Sequence, residues 1–156
     1  MTDASYTVAT MSHFVGRELG TSGWSVVSQE RINQFADATA DRQWIHVDVE
    51  RARRDSPFGG CIAHGNLVLS MVSGLSLELR LLPEDAAMAF NYGLDRVRFM
   101  TPVKAGARVR CKVTLDAVTE RGGGRQLVKT MNTIEIEGEA KPALTAELLT
   151  LVAPRP

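Results

Sequence analysis

NLVLSMVSGLSLELRLL, residues Asn66 to Leu82, is the stretch on which the fold turns. Val68, Met71 or Val72, Leu75, Leu79 and Leu82 recur at helical spacing, whereas Leu75, Leu77, Leu79 and Leu81 alternate as a strand would. The run is longer than a usual strand and its apolar residues surround the helical wheel, so it reads as one long, fully buried helix. A helix apolar on every side has to be enclosed, and a strongly curved sheet wrapped round it would do so within one domain.

The flanking sequence supplies that sheet. After Pro83 the period becomes two: Met88, Phe90, Tyr92 and Leu94 share one face, then Val97 and Phe99 carry the apolar set at odd positions. The parity slip near Asp95-Arg96 predicts a β-bulge. Ala107, Val109, Cys111, Val113 and Leu115 alternate with polar residues as a half-buried strand. Gly122-Gly123-Gly124 marks a hairpin, and two further strands are expected over 125–136 and 143–152. Upstream, Ile32, Phe35, Ala36 and Thr39 predict a helix from Gln29 to Thr39 that stops near Ala40-Asp41. Trp44, Ile45 and Val47 then read as an apolar loop around His46, and Asp48 as the N-cap of a short turn through Arg54. Trp24, Val26 and Val27 can begin an edge strand, and residues 1–20 read as a leading arm. The order predicts an α+β class with an antiparallel sheet, as a single domain over 1–156. The sheet's outer face needs partial cover, which favours a dimer.

Composition narrows the function. With 156 residues, 44% of them hydrophobic, the chain can bury a sizeable core. Eighteen basic residues balance eighteen acidic ones, which speaks against nucleic acid and anionic membranes as partners. Cys61 and Cys111 form no C-x-x-C and fit reduced thiols in a cytoplasmic protein. The N-terminal stretch has no apolar core of a signal peptide, and no run reaches the roughly 18 apolar residues of a membrane span. Neutrality is nevertheless a sum of unlike regions. Arg96, Arg98, Lys104, Arg108, Arg110 and Lys112 fall in one stretch free of acid, while Glu135, Glu137, Glu139 and Glu147 load the C-terminal strands. Most of those cations read as a solvated strand face.

No Walker, dinucleotide-binding, G-x-S-x-G or H-E-x-x-H pattern occurs. What remains is Asp41, His46 and the His64-Gly65 step. Asp41 and His46 lie amid Trp44, Ile45 and Val47, and apolar surroundings tune an acid and an imidazole for proton transfer near neutrality. Taken alone, the pair reads first as a helix-terminal polar residue and a satisfied loop histidine. Gly65 opens the long helix, so its amide is free of an intrahelical partner and suits an oxyanion, or the glycine serves only a tight entry into the helix. His64 reads as a residue of the cap region, or one that touches ligand. A metal set from Asp41, His46, Asp48 and His64 matches no standard spacing, and Asp48 already has a capping role, so no metal is expected.

Phe35-Ala-Asp-Ala-Thr-Ala-Asp41-Arg-Gln-Trp-Ile-His46-Val-Asp48 with Pro57-Phe-Gly-Gly-Cys-Ile-Ala-His64-Gly65 resembles the MaoC-like, (R)-specific enoyl-CoA hydratase family, in its short NodN-like branch. The likeness extends through Gly16-x-x-x-Gly20-Thr-Ser-Gly-Trp24 and Asn91-Tyr92-Gly93-Leu94-x-x-Val97-Arg98-Phe99, about residue 14 to residue 150. It implies a hot-dog fold, in which the curved sheet wraps a long central helix and two subunits pair. It also implies reversible hydration of a trans-2-enoyl-CoA thioester to an (R)-3-hydroxyacyl-CoA, with Asp41 and His46 as the catalytic pair and Gly65 as the oxyanion amide. No cofactor is implied, because CoA is part of the substrate. His64 is expected beside the substrate, and Arg98, from the basic stretch, near the CoA phosphates. The chain departs from the family at Ala40, where glycine is usual, at Arg42 and at Cys61. Competing expectations are a hot-dog acyl-CoA thioesterase and a non-catalytic acyl-CoA-binding or heteromeric partner subunit.

Overall fold

The computed structural model describes residues 5–155. A 3-10 turn, Met11–Phe14, leads into β1, Glu18–Thr21, and β2, Ser25–Val26. Helices α1, Gln29–Thr39, α2, Trp44–Val47, α3, Val49–Asp55, and α4, Gly65–Leu77, follow, and then strands β3, Ala86–Phe99, β4, Arg108–Glu120, β5, Gln126–Ile136, and β6, Leu144–Pro154. The sheet is antiparallel, in the order β1-β4-β5-β6-β3, with β2 also on β4.

The α+β class and the antiparallel sheet are as expected, but the sheet does not close round a long central helix. The sheet is an open path with β1 and β3 at its edges, and α4 spans 13 residues, one of several short helices. The segment expected to run to Leu82 unwinds after Leu77. Leu79 and Arg80 donate their N–H groups to Ser76 and Leu77, the tighter i→i+3 pattern of a helix end, and Arg80 takes a left-handed φ of 49°. The wheel count overstated burial for a physical reason. Only Leu67, Val68, Val72 and Leu75 of α4 are fully buried, Leu69 and Met71 are half-buried, and Leu77 is 74% exposed. An apolar residue at every angle does not oblige a wall at every angle.

The core lies between that stripe and the inner faces of β4, β5 and β6. Leu67, Val68, Val72 and Leu75 join Val109, Cys111, Val113, Ile134, Leu144 and Ala146 in one cluster. A second cluster seals Val8 and Met11 of the leading segment against Leu115, Val128 and Val152. The β3–β6 register shifts between Asp95 and Arg98, where Arg96 has φ 41°, so the parity slip is a bulge as predicted. Beneath it the fully buried Glu147 pairs with Arg96 and Lys129, and Lys129 also reaches Asp95.

The candidate site depends on how α1 ends. Ser28 caps its start by accepting the Arg31 N–H at 3.2 Å. Its C-cap, Ala40, turns left-handed, with φ 61° and ψ 10°. Residues 44–47, expected as a loop, form the single turn α2, in which the His46 N–H donates to the Gln43 carbonyl and the N–H of the following Asp48 to the Trp44 carbonyl. Asp48 then caps α3 by accepting the Arg51 N–H at 3.0 Å, as its position predicts.

Candidate active site

Two tethers hold α2. Gln29 of α1 donates Nε2–H to the His46 carbonyl at 2.7 Å, and Ile62 donates its N–H to the Ile45 carbonyl at 3.1 Å. The segment carrying Ile62 is itself fixed, since Ala63 and Ala105 donate to Val103 and Cys61 carbonyls across a two-stranded bridge. The same Ile62 presents its carbonyl to His46 Nδ1 at 2.7 Å. A carbonyl only accepts, so Nδ1 carries the proton and Nε2 keeps its lone pair. His46 is 7% exposed, and burial first of all holds its pKa below the ordinary 6.5. The Ile62 bond opposes that shift, His64 adds to it and Asp41 opposes it.

His64, the N-cap of α4, makes the complementary arrangement. Its Nε2–H donates to the Asp41 backbone carbonyl at 2.9 Å, which ties the left-handed turn after α1 to the start of α4. Its ring stacks on His46 at 3.8 Å between centroids and tilts against Phe35 at 5.1 Å, and its Nδ1 is buried without a partner. One carboxylate oxygen of Asp41 and one ring nitrogen each of His46 and His64 lie within 4.8 Å of one another. Such a donor set invites the question of a metal. The two imidazole planes, however, are stacked 27° apart, so their in-plane lone pairs do not converge on one ion at the roughly 2.0–2.1 Å of a zinc–imidazole bond. The arrangement suits proton transfer: an exposed carboxylate beside a buried imidazole with a free lone pair.

Gly65 opens α4, and its N–H belongs to the helix start that has no intrahelical acceptor. It shares with His46 a cavity of about 220 Å³ whose other walls include Val68, Phe99, Thr101 and Val103. The glycine does not need a left-handed backbone here. It needs space: a Cβ at Gly65 would sit 3.0 Å from Cδ1 and Cε1 of Phe99. Phe99 and the Ile62 carbonyl are the two features that residue-by-residue reading missed; the parity slip before Val97 was the available signal for the first, and backbone groups leave none in sequence.

Asp41, His46 and His64 thus come together, and Gly65 faces the cavity that His46 lines. Arg98 stands apart. Its guanidinium is exposed, donates to the Val97 carbonyl at 2.8 Å and does not line that cavity. The rest of the basic stretch is largely paired: Arg108 with Glu137, Arg110 with Glu135, Lys112 with Glu18 and Arg96 with Glu147. Arg110 also covers the Trp24 ring at 4.6 Å. The solvated strand face is therefore what those cations make. Ala40 occupies a left-handed position that glycine would fill without strain, and Arg42 pairs with Asp37 at 2.9 Å. Among the described residues no helix is long and apolar enough to cross a membrane.

Comparison with known proteins accords with this geometry. The profile of the MaoC like domain matches residues 10–138. Nodulation protein N of Rhizobium leguminosarum bv. viciae is 49% identical over 138 residues, 88% of this chain and 86% of that protein. The 3-hydroxyacyl-thioester dehydratase Z of Mycobacterium tuberculosis is 44% identical over 140 residues, 90% of this chain and 91% of that one. Among solved structures, the monoamine oxidase regulatory protein of Archaeoglobus fulgius superposes with a TM-score of 0.76 at 26% identity, covering 91% of this chain and 92% of that one. A family profile that spans most of the chain, together with near-half identity over nine-tenths of it, establishes that this chain belongs to the MaoC-like family of hot-dog proteins, alongside its NodN-like members.

Proposed function

We propose that the chain is a hydro-lyase that reversibly adds water to trans-2-enoyl-CoA thioesters to give (R)-3-hydroxyacyl-CoA. The observation that carries this reading is the buried His46, whose Nδ1–H is committed to a carbonyl and whose ring lies in one cluster with the Asp41 carboxylate. The mycobacterial relative's description as a 3-hydroxyacyl-thioester dehydratase supports it.

The chemistry follows from the charges. The substrate's thioester carbonyl accepts the Gly65 N–H, which polarises the conjugated alkene. A water held between Asp41 and His46 Nε2 loses a proton to the imidazole as its oxygen bonds to the β-carbon. The alkene electrons move to the thioester oxygen, and the resulting enolate is stabilised by about 3 kcal/mol at the amide. The imidazolium then delivers a proton to the α-carbon from the same side, which regenerates neutral His46. Asp41 orients the water and offsets the transient positive charge. The depressed His46 pKa keeps the base neutral near pH 7, and a positioned general base contributes about 10²–10⁴-fold.

The functional unit is a homodimer. Strand β3 is a sheet edge whose Met88, Phe90, Tyr92 and Leu94 are each 45–60% exposed, an apolar surface that a second copy would cover. A cytoplasmic setting fits the free, buried Cys61 and Cys111. The decisive experiment supplies short and medium trans-2-enoyl-CoA, follows loss of the conjugated thioester and resolves the product's configuration. Asp41→Asn and His46→Gln should each abolish turnover. Absence of turnover by the native chain, or full activity in both variants, refutes the assignment; release of free thiol from saturated acyl-CoA would establish a thioesterase instead.

A further inference from the structure

Gly65 and Phe99 are in such close approach that the space beside the amide is set by one aromatic ring. A side-chain carbon at Gly65 would lie 3.0 Å from two ring carbons and 3.4 Å from a third, inside the ~3.5–4.0 Å of ordinary carbon contacts. Phe99 lines the same small cavity as His46. Its ring is 53% exposed, yet its backbone is well fixed. It pairs with Leu144 just after the Asp95–Arg98 bulge, and the bulge is held from beneath by the buried Glu147 through Arg96 and Lys129. Without the bulge the ring would fall to the other side of β3.

We infer that Phe99 is a specificity-determining residue: it walls the slot at the Gly65 amide so that acyl thioesters unbranched at carbon 2 fit and those bearing a methyl there do not. The inference rests on the proposed placement of the thioester carbonyl at Gly65. Carbon 2 is bonded directly to that carbonyl carbon, so a substituent on it must share the space that Phe99 already narrows. One methyl group in an apolar pocket is worth about 10–200-fold in discrimination.

Binding of the non-reacting pair butanoyl-CoA and 2-methylbutanoyl-CoA, measured by calorimetry, tests this independently of turnover. The native chain should bind the unbranched thioester at least ~10-fold more tightly, and Phe99→Ala should bring the ratio below about threefold, with Phe99→Leu in between. Equal binding by the native chain, or a ratio unmoved in both variants, overturns the inference. The same comparison with the 2-enoyl and 2-methyl-2-enoyl thioesters separates the two proposals. A binding ratio that responds to Phe99 with no hydration of either enoyl thioester leaves the wall in place and refutes the hydratase reading. Hydration of both at equal efficiency does the reverse.

Discussion

Replacing Ala40 by glycine should make the protein more stable, although Ala40 is exposed. The residue sits at the C-cap of α1 with φ 61° and ψ 10°, where an L side chain crowds its own carbonyl. That conformation costs about 1–2 kcal/mol for a residue other than glycine. Glycine relieves it but loosens the unfolded chain, which returns about 0.4–1 kcal/mol of the gain. The net stabilisation is then about 0.5–1 kcal/mol, and for a chain of this size it raises the melting temperature by about 1–4 °C. Ala40→Val should move the midpoint the other way, by more than 1 kcal/mol, because a β-branched residue at positive φ is worse still. Thermal and urea unfolding of the three proteins measure this directly. Equal stability of the three, or a valine variant as stable as the glycine one, would show that the turn is not left-handed. The geometry that brings the Asp41 carbonyl to His64 Nε2 would then be wrong as well.

His46 predicts the acid limb of activity: its pKa lies below 6.5, so kcat/KM against pH should fall only below that value. The same shift is a stability statement. The unfolded chain takes up the proton first as pH drops below 6.5, so stability is lost from there down to the folded pKa. Glu147 acts lower on the scale: its pairing with Arg96, then Lys129, depresses its carboxyl below 4.5, so the stability it gives is present above that value and disappears as pH falls through the folded pKa. Urea midpoints across pH for Glu147→Gln should lose the component below 4.5 and keep the one contributed by His46. Gly65→Ala should press its Cβ on the Phe99 ring, 3.0 Å from two ring carbons, at a stability cost of about 1–3 kcal/mol, and the resulting shift of the slot should lower kcat/KM by about 10²-fold.

Local rules in the sequence reached far into the fold because the elements they describe are local. The stripe from Ile32 to Thr39 produced α1 to the residue, the parity slip at Asp95-Arg96 produced the bulge, and Asp48 produced a cap. The Asn66–Leu82 reading failed where a local rule was asked a tertiary question. An apolar wheel says which faces tolerate burial; what buries them is the sheet, and the sheet offers α4 one face. The surplus apolar surface, from Leu77 to the exposed residues of β3, remains uncovered on the single chain, which is why the proposal of a second copy rests on it.

The site divides along the same line. Asp41 and His46 stood out because their residue types are unusual in an apolar setting, Gly65 because it opens the long helix, and the structure gathers the first two with His64. What selects their chemistry is a set of backbone groups. The Ile62 carbonyl chooses the His46 tautomer, the Asp41 carbonyl orients His64, and both depend on a left-handed Ala40 and on a bridge between 61–63 and 103–105. Peptide groups are the same in every sequence, so their placement becomes visible only when the chain is folded. A side-chain variant at Asp41 or His46 therefore removes a reacting group, whereas Ala40→Val or a proline at Ile62, which takes away the N–H to Ile45, leaves every reacting group present and misaims it. The second kind should lower kcat while the acid limb shifts towards 6.5, as a His46 freed from burial would. A limb that stays in place as kcat falls would mean that the imidazole's surroundings do not depend on that bridge.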